Sequence, residues 1–239
     1  MDCKQLLVNG CKLYNIDIDQ IQIEKFIAYK EILKEWNEKI NLTAIVDDEG
    51  IVKKHFLDSI SIISSNVIKE NCSIIDIGTG AGFPGVPLKI IMPSLKIVLL
   101  DSLNKRIKFL NEVIKELGLN DIEAIHGRAE EIAKDIKYRE SFDIATARAV
   151  ANLTMLSEYC IPYVKVGGYF IAMKGPSSVD EINESKNAIG TLGGKIKDVI
   201  DTKIYEEDIN HKLVIVEKIK ITEKKYPRKS SQIEKKPIL

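Results

Sequence analysis

The chain has 239 residues, of which 45% are apolar and 29% charged, enough for a buried core and unlike disordered, collagenous or disulfide-stapled chains. Lys+Arg and Asp+Glu each total 35, which removes an overall basic signature, yet residues 218–239 carry eight Lys/Arg against two Glu and give that end a field a polyanion would feel. The apolar runs are too short to span a bilayer and Met1-Asp2-Cys3-Lys4 opens no export signal, so a cytoplasmic protein is expected.

Residues 1–70 read as a helical region. Phe26, Tyr29, Leu33, Trp36 and Ile40 recur at helical steps along one face. A second helix is expected over 49–63, and Asn41-Leu42-Thr43-Ala44-Ile45 between the two reads as a loop. Residues 71–221 change texture. Strands expected at 73–77, 96–100, 122–125, 142–146 and 169–173 alternate with helices at 86–92, 104–117, 129–136 and 151–164. Near-continuous apolar strands of this kind suit a parallel sheet covered on both faces, with right-handed crossovers. After a helix at 179–189, a Gly193-Gly194 turn introduces two strands, 195–204 and 211–221, whose short connection makes them antiparallel. The expected fold class is therefore α/β, a Rossmann-like doubly wound sheet with a terminal antiparallel hairpin, plus the N-terminal helical region and a basic C-terminal tail over 222–239. The hairpin is less typical of dinucleotide-binding folds and points toward a methyltransferase-like sheet. Cys3, Cys11, Cys72 and Cys160 show no C-x-x-C spacing, so reduced thiols and no metal are expected.

The most informative segment is Asp76-Ile77-Gly78-Thr79-Gly80-Ala81-Gly82-Phe83-Pro84-Gly85, a strand running into a glycine loop and a helix. Such a loop lies at the carboxyl end of the first strand, where open α/β sheets bind ligands. Gly80 to Gly85 also satisfies G-x-G-x-x-G, so a nicotinamide or flavin dinucleotide is a rival. Asp76 favours the other reading, because a carboxylate there repels a pyrophosphate but suits the ammonium and sulfonium of S-adenosylmethionine. Asp101, ending the second strand, is placed to accept ribose hydroxyls of either ligand, or to cap the next helix.

Taken in order, Asn41 to Ile45, His55-Phe56-Leu57-Asp58-Ser59, Asp76 to Pro87, Leu100 to Arg106, Gly127 to Glu131, Ala147 to Ala151 and Lys224-Lys225-Tyr226-Pro227-Arg228-Lys229 resemble the bacterial 16S rRNA guanine-N7 methyltransferases, the glucose-inhibited division protein B family. The resemblance spans residues 41–229. It implies a class I S-adenosylmethionine-dependent methyltransferase fold and transfer of a methyl group to N7 of guanine 527, in the 530-loop region of 16S rRNA, with the small ribosomal subunit or an assembly intermediate as partner. Gly78, Phe83, Ala129, Glu130 and Arg148 match the family's cofactor-binding positions, and Gly80, Gly82 and Asp101 join them on the physical argument above. Arg148, Lys224, Lys225, Arg228 and Lys229 are candidates for RNA contact, although a lysine run is also compatible with a solvated charged face. The chain departs from the family after Lys229, where Ser230-Ser231-Gln232-Ile233-Glu234 replaces a Gly/Pro-containing turn.

His55 and Asp58, three apart on a helix, read as a helix-surface hydrogen bond rather than an acid/base or metal pair, since no third ligand accompanies them. His126 and His211 form no constellation. Guanine N7 offers an unprotonated lone pair, so no catalytic acid or base is assigned and positioning is expected to carry the rate. Two other classes remain open: an NAD(P)-dependent oxidoreductase, for which the chain lacks a persuasive proton-donor pair, and a non-catalytic RNA-binding module.

Overall fold

A computed structural model describes residues 2–148, 151–176, 178–206 and 210–238. The N-terminal layer starts with α1 (Cys3–Lys12) and α2 (Gln20–Ile40). A capping box opens α2, where the Asp19 side chain accepts the Gln22 N–H and the Gln22 side chain accepts the Asp19 N–H, and Asn41 ends it in the left-handed region at φ 51. Of the expected stripe, Phe26, Tyr29 and Leu33 are fully buried.

The second expected helix is not a regular one. It is assembled from α3 (Asp48–Gly50), a π-helical stretch Ile51–Leu57, α4 (Asp58–Ile60) and a 3-10 turn Ser61–Ser65. The wider π turn changes which side chains face inward. His55 and Asp58 are buried at 9% and 4% exposure, so they are not the helix-surface pair the sequence suggested.

The sheet follows as β1 (Ser73–Ile77), α5 (Gly85–Ile91), β2 (Lys96–Asp101), α6 (Asn104–Glu116), β3 (Ile122–His126), α7 (Ala129–Ile132), β4 (Phe142–Arg148), α8 (Leu153–Cys160), β5 (Val164–Lys174), α9 (Val179–Thr191), β6 (Gly194–Lys203), β7 (Asn210–Lys218) and α10 (Ser230–Lys235). Strand order is β3-β2-β1-β4-β5-β7-β6. β1 to β5 run parallel, with Ile75 opposite Val98 and Ala145. β7 lies antiparallel between β5 and β6. α7 stops four residues short of the expected end, and Ile136 beyond it is exposed, so no buried face prolongs the helix. β5 begins five residues early because Val164 pairs with Phe142 ahead of the glycines at 167 and 168.

Alternation along the strands divides the molecule into two cores. Ile74, Ile144 and Leu213 face the layer containing α2, the π-helical stretch, α5 and α6, whereas Ile75, Ile77, Ala145, Ala147 and Val214 face α8 and α9. By the same parity Asp76, Arg148 and His211 point toward the N-terminal layer. Phe26 and Tyr29 share that core with Val86 and Leu110, so residues 1–70 are continuous with the sheet domain rather than separate from it.

The segment 222–238 also packs back. The Arg139 guanidinium donates to the carbonyls of Thr222, Glu223 and Tyr226, and Ile233 of α10 is fully buried. Arg228 Nη2 meets Glu158 Oε2 at 2.6 Å, with Nε on the same carboxylate. Lys218 is buried beside Glu140, Thr222 and the Ile161 carbonyl. Two charges of the basic C-terminal run therefore serve the fold. Lys224, Lys225 and Lys229 are exposed, Lys225 pairing with Glu223 at 2.9 Å.

Candidate active site

The glycine loop turns from β1 into α5 with Gly78, Gly80 and Gly82 at φ 67, 61 and 93, a conformation that L side chains rarely adopt. Asp76 holds it from below. Its Oδ2 accepts the Thr79 hydroxyl at 2.6 Å and the Gly85 N–H at 2.9 Å. The side chain is fully buried, with Oδ1 unpaired among the described residues, and it lines neither cavity beside the loop. The expected role of Asp76 as a direct partner for ligand cations is thus replaced by a loop-fastening one. Burial pushes its carboxyl up to about 6, against the hydrogen bonds from Thr79 and Gly85. From the other side, the buried Tyr29 hydroxyl donates to the Ala81 carbonyl, tying α2 to the loop.

Two cavities of about 430 Å³ each meet at this loop and share Gly78, Asp101 and Ser102. The first runs past Leu100, Gly127, Ala129 and Glu130 to Met155 and Tyr159, with Ser230 and Glu234 of α10 forming its outer wall. The second contains Thr43, His55, Gly80, Phe83, Arg106 and Arg148. Every residue expected to hold a cofactor except Gly82 lines one cavity or the other. Gly82 is underneath, where a Cβ would meet Val86 and the Tyr29 hydroxyl at 2.7 and 2.8 Å.

Asp101 sits at the junction, 2% exposed. Its Oδ2 accepts the Gly80 N–H at 3.0 Å and Arg106 at 3.1 Å, and Oδ1 accepts the Leu103 N–H at 2.9 Å. One Oδ1 lone pair is left for a ligand hydroxyl. A second ribose hydroxyl would have to displace Arg106 or the Gly80 N–H. The mixed lining fits adenosylmethionine: apolar Leu100, Met155 and Leu156 suit a purine, and the acceptor Asp101 suits a diol.

The second cavity contains a network not anticipated from the sequence. Arg148 Nη1 bonds Asp58 Oδ2 at 2.8 Å and the Lys54 carbonyl at 3.1 Å, and Nη2 is 3.3 Å from His55 Nδ1. Asp58 Oδ1 in turn meets His211 Nδ1 at 2.7 Å, so His211 does belong to a constellation. The His55 ring stacks on Phe83 at 4.6 Å between centroids, and the Arg148 guanidinium lies 4.8 Å from the same ring centre. Burial, then Arg148, pushes His55 down to about 4, keeping it neutral at physiological pH. Burial opposes the charge on Asp58, but His211 and Arg148 outweigh it and hold its carboxyl below the usual range. His126 stands apart, bonded to the Ser102 carbonyl. Ala149 and Val150, next to Arg148, are outside the described residues.

Strand order 3-2-1-4-5-7-6 with β7 reversed, a glycine loop after β1 and an acid ending β2 define a class I S-adenosylmethionine-dependent methyltransferase fold. Solved structures agree at the level of fold: M. jannaschii TYW2 in complex with AdoMet superposes with TM-score 0.52 at 19% identity over 68% of this chain and 77% of that one. MtNAS in complex with MTA and tNA gives 0.54 at 15% identity over 84% and 71%. Residues 22–210 match the family GidB, rRNA small subunit methyltransferase G. Ribosomal RNA small subunit methyltransferase G of Clostridium kluyveri is 58% identical over 238 residues, 100% of each chain to the nearest per cent, and that of Clostridium perfringens strain 13 is 54% identical over 233 residues, 98% of each. The chain belongs to the rRNA small subunit methyltransferase G family.

Among the described residues no helix is long and apolar enough to cross a membrane, and no group of three or more His, Cys, Asp or Glu could hold a metal ion.

Proposed function

We propose that this enzyme transfers a methyl group from S-adenosylmethionine to N7 of guanine 527 in 16S rRNA, acting in the cytoplasm on a small-subunit particle. When bound, the cofactor supplies an electrophilic methyl on sulfur. The observation that carries the reading is the pair of cavities joined at Gly78 and Asp101, one suited to adenosine and the other open for a base beside Phe83 and Arg148.

Gly78, Gly80, Phe83, Asp101, Ala129, Glu130 and Arg148 would hold and orient the cofactor. The N7 lone pair bonds to the methyl carbon as the sulfur–carbon bond breaks, and no proton leaves the base in that step. This suits a site whose histidine is neutral and already engaged, and whose Asp58 is bound by Arg148 and His211. Alignment of the reacting atoms in the cavity then provides the rate. An N–H target would need a proton acceptor, and the histidine of this cavity already has both ring nitrogens engaged, by Thr43 and by Arg148. Exposed Lys224, Lys225 and Lys229 would add phosphate contacts that position the RNA without reading sequence.

Labelled S-adenosylmethionine with small-subunit particles is expected to place its methyl on one guanine, at which borohydride and aniline then cleave the RNA. Label on cytosine or on adenine N6 would overturn the assignment.

A further inference from the structure

The loop Asn41 to Ile45 takes no part in the cofactor site as described, yet it brings a hydroxyl to the second cavity. Asn37 Oδ1 accepts the N–H groups of Leu42 and Thr43 at 2.6 and 2.8 Å, fixing the loop against α2. Thr43 Oγ1 is 2.7 Å from His55 Nε2 and accepts the Ile45 N–H at 3.0 Å.

Hydrogen-bond accounting sets the direction of these contacts. A guanidinium has donors only, so His55 Nδ1 must accept from Arg148. His55 is neutral, and its one proton therefore resides on Nε2 and is donated to Thr43. With the Ile45 N–H, both lone pairs of the Thr43 oxygen are used. Its own proton is left, and no described residue accepts it. Thr43 is thus a hydroxyl restricted to donating, in a cavity lined by Gly78, Phe83 and Arg148.

We propose that Thr43 donates a hydrogen bond to O6 of the target guanine and so sets the choice of base. The inference rests on guanine N7 being the methylated atom. Adenine and guanine present the same N7 acceptor, and an enzyme aligned on N7 alone cannot tell them apart. They differ at the neighbouring position, where guanine carries the O6 acceptor and adenine an amino donor. A hydroxyl whose lone pairs are both occupied matches the first and meets the second donor to donor.

The test uses the full-length enzyme and small-subunit particles reconstituted with guanine or 2-aminopurine at the target position; the latter keeps N7 and the 2-amino group but lacks O6. The wild-type enzyme should prefer guanine. Thr43→Val also takes the acceptor from His55 Nε2–H and the Ile45 N–H, a loss common to both bases, so kcat/KM on guanine should fall by about 10-fold more than on 2-aminopurine, the scale of one lost hydrogen bond. Thr43→Ser should keep the preference. Nitrogen NMR of His55 should show a neutral ring protonated at Nε2. Equal losses on both bases in Thr43→Val would mean that Thr43 only supports His55, and would overturn the proposal. So would a wild-type enzyme indifferent to O6, or a His55 ring protonated at Nδ1. A guanine product resistant to borohydride and aniline would instead remove the N7 assignment and this inference with it.

Discussion

Arg148 and Asp58 are ninety positions apart in sequence and 2.8 Å apart in space, with side-chain exposures of 14% and 5%. The bridge joins the end of β4 to the N-terminal layer, and its guanidinium lies over Phe83 of the cofactor loop. One planar fork reaches Asp58, the Lys54 carbonyl and His55 together. A lysine offers a point charge and cannot reproduce that set while stacking on a ring. Arg148→Lys should therefore lose about 10-fold or more in kcat/KM despite keeping its charge, with calorimetric titration dividing the loss between cofactor affinity and turnover. Arg148→Ala removes one partner of a buried pair and should also cost about 3 kcal/mol in urea unfolding. A fully active lysine variant would reduce Arg148 to a general positive charge.

The two titrations in this region have opposite signs. His55 takes a proton near 6.5 when unfolded but only near 4 in the fold, so the stability it contributes is complete above pH 6.5 and is lost as pH falls toward 4. Asp76 is protonated near 6 in the fold and near 3.8 when unfolded, so it adds stability as pH falls over nearly the same range. Each shift is worth roughly 3 kcal/mol in full, and these two contributions largely cancel between pH 6.5 and 4.5. Asp76→Asn removes the opposing contribution, and its stability should drop by about 2 kcal/mol relative to wild type across that window. His55→Gln should instead gain as pH falls. Urea titrations at the two pH values measure both, and parallel curves for the three proteins would contradict the opposition.

What could be read from sequence follows the range of the interactions. Strand β1, the glycine loop and Asp101 at the end of β2 were legible because apolar continuity, glycine spacing and strand ends are local signals. His211 was not, because its partner Asp58 is 153 positions away and only the antiparallel register of β7 brings them together. The pairing could have been suspected from parity, since His211 and Leu213 share a strand face, but only once β7 had been placed beside β5. A regular helical period places His55 and Asp58 on the surface, whereas the chain winds there as a π-helix and buries both. Arg228 and Lys218 look like members of one basic run, and nothing local announces that Glu158 and Glu140 await them.

Gly80 and Gly82 separate the two duties of the cofactor loop. Both have positive φ, so alanine at either should cost about 1 kcal/mol in backbone strain. At Gly80 a Cβ finds no atom closer than 4.0 Å, whereas at Gly82 it collides with Val86 and Tyr29. Gly80→Ala should stay folded and lose S-adenosylmethionine affinity, because the new methyl enters the cavity. Gly82→Ala should lose more stability and weaken the ligand only through the displaced loop. Thermal unfolding with and without cofactor distinguishes them, and Gly80→Ala with unaltered affinity would remove that glycine from the binding surface.

The C-terminal segment allows the cleanest separation of charge from structure. Lys224, Lys225 and Lys229 are exposed, whereas Arg228 is bound to Glu158, itself 1% exposed. Changing the three lysines to glutamine should leave unfolding and cofactor affinity unaffected, weaken binding to 16S rRNA and flatten its dependence on salt, because fewer counterions are released. Arg228→Gln should behave differently. It leaves Glu158 charged and buried without its partner, at a cost of about 3 kcal/mol, and loosens α10, whose Ser230 and Glu234 wall the adenosine-side cavity. Cofactor affinity should then fall at every salt concentration while the RNA salt slope changes little. A steep loss of salt dependence in Arg228→Gln, with cofactor binding intact, would place that arginine on the RNA and the lysines in solvent.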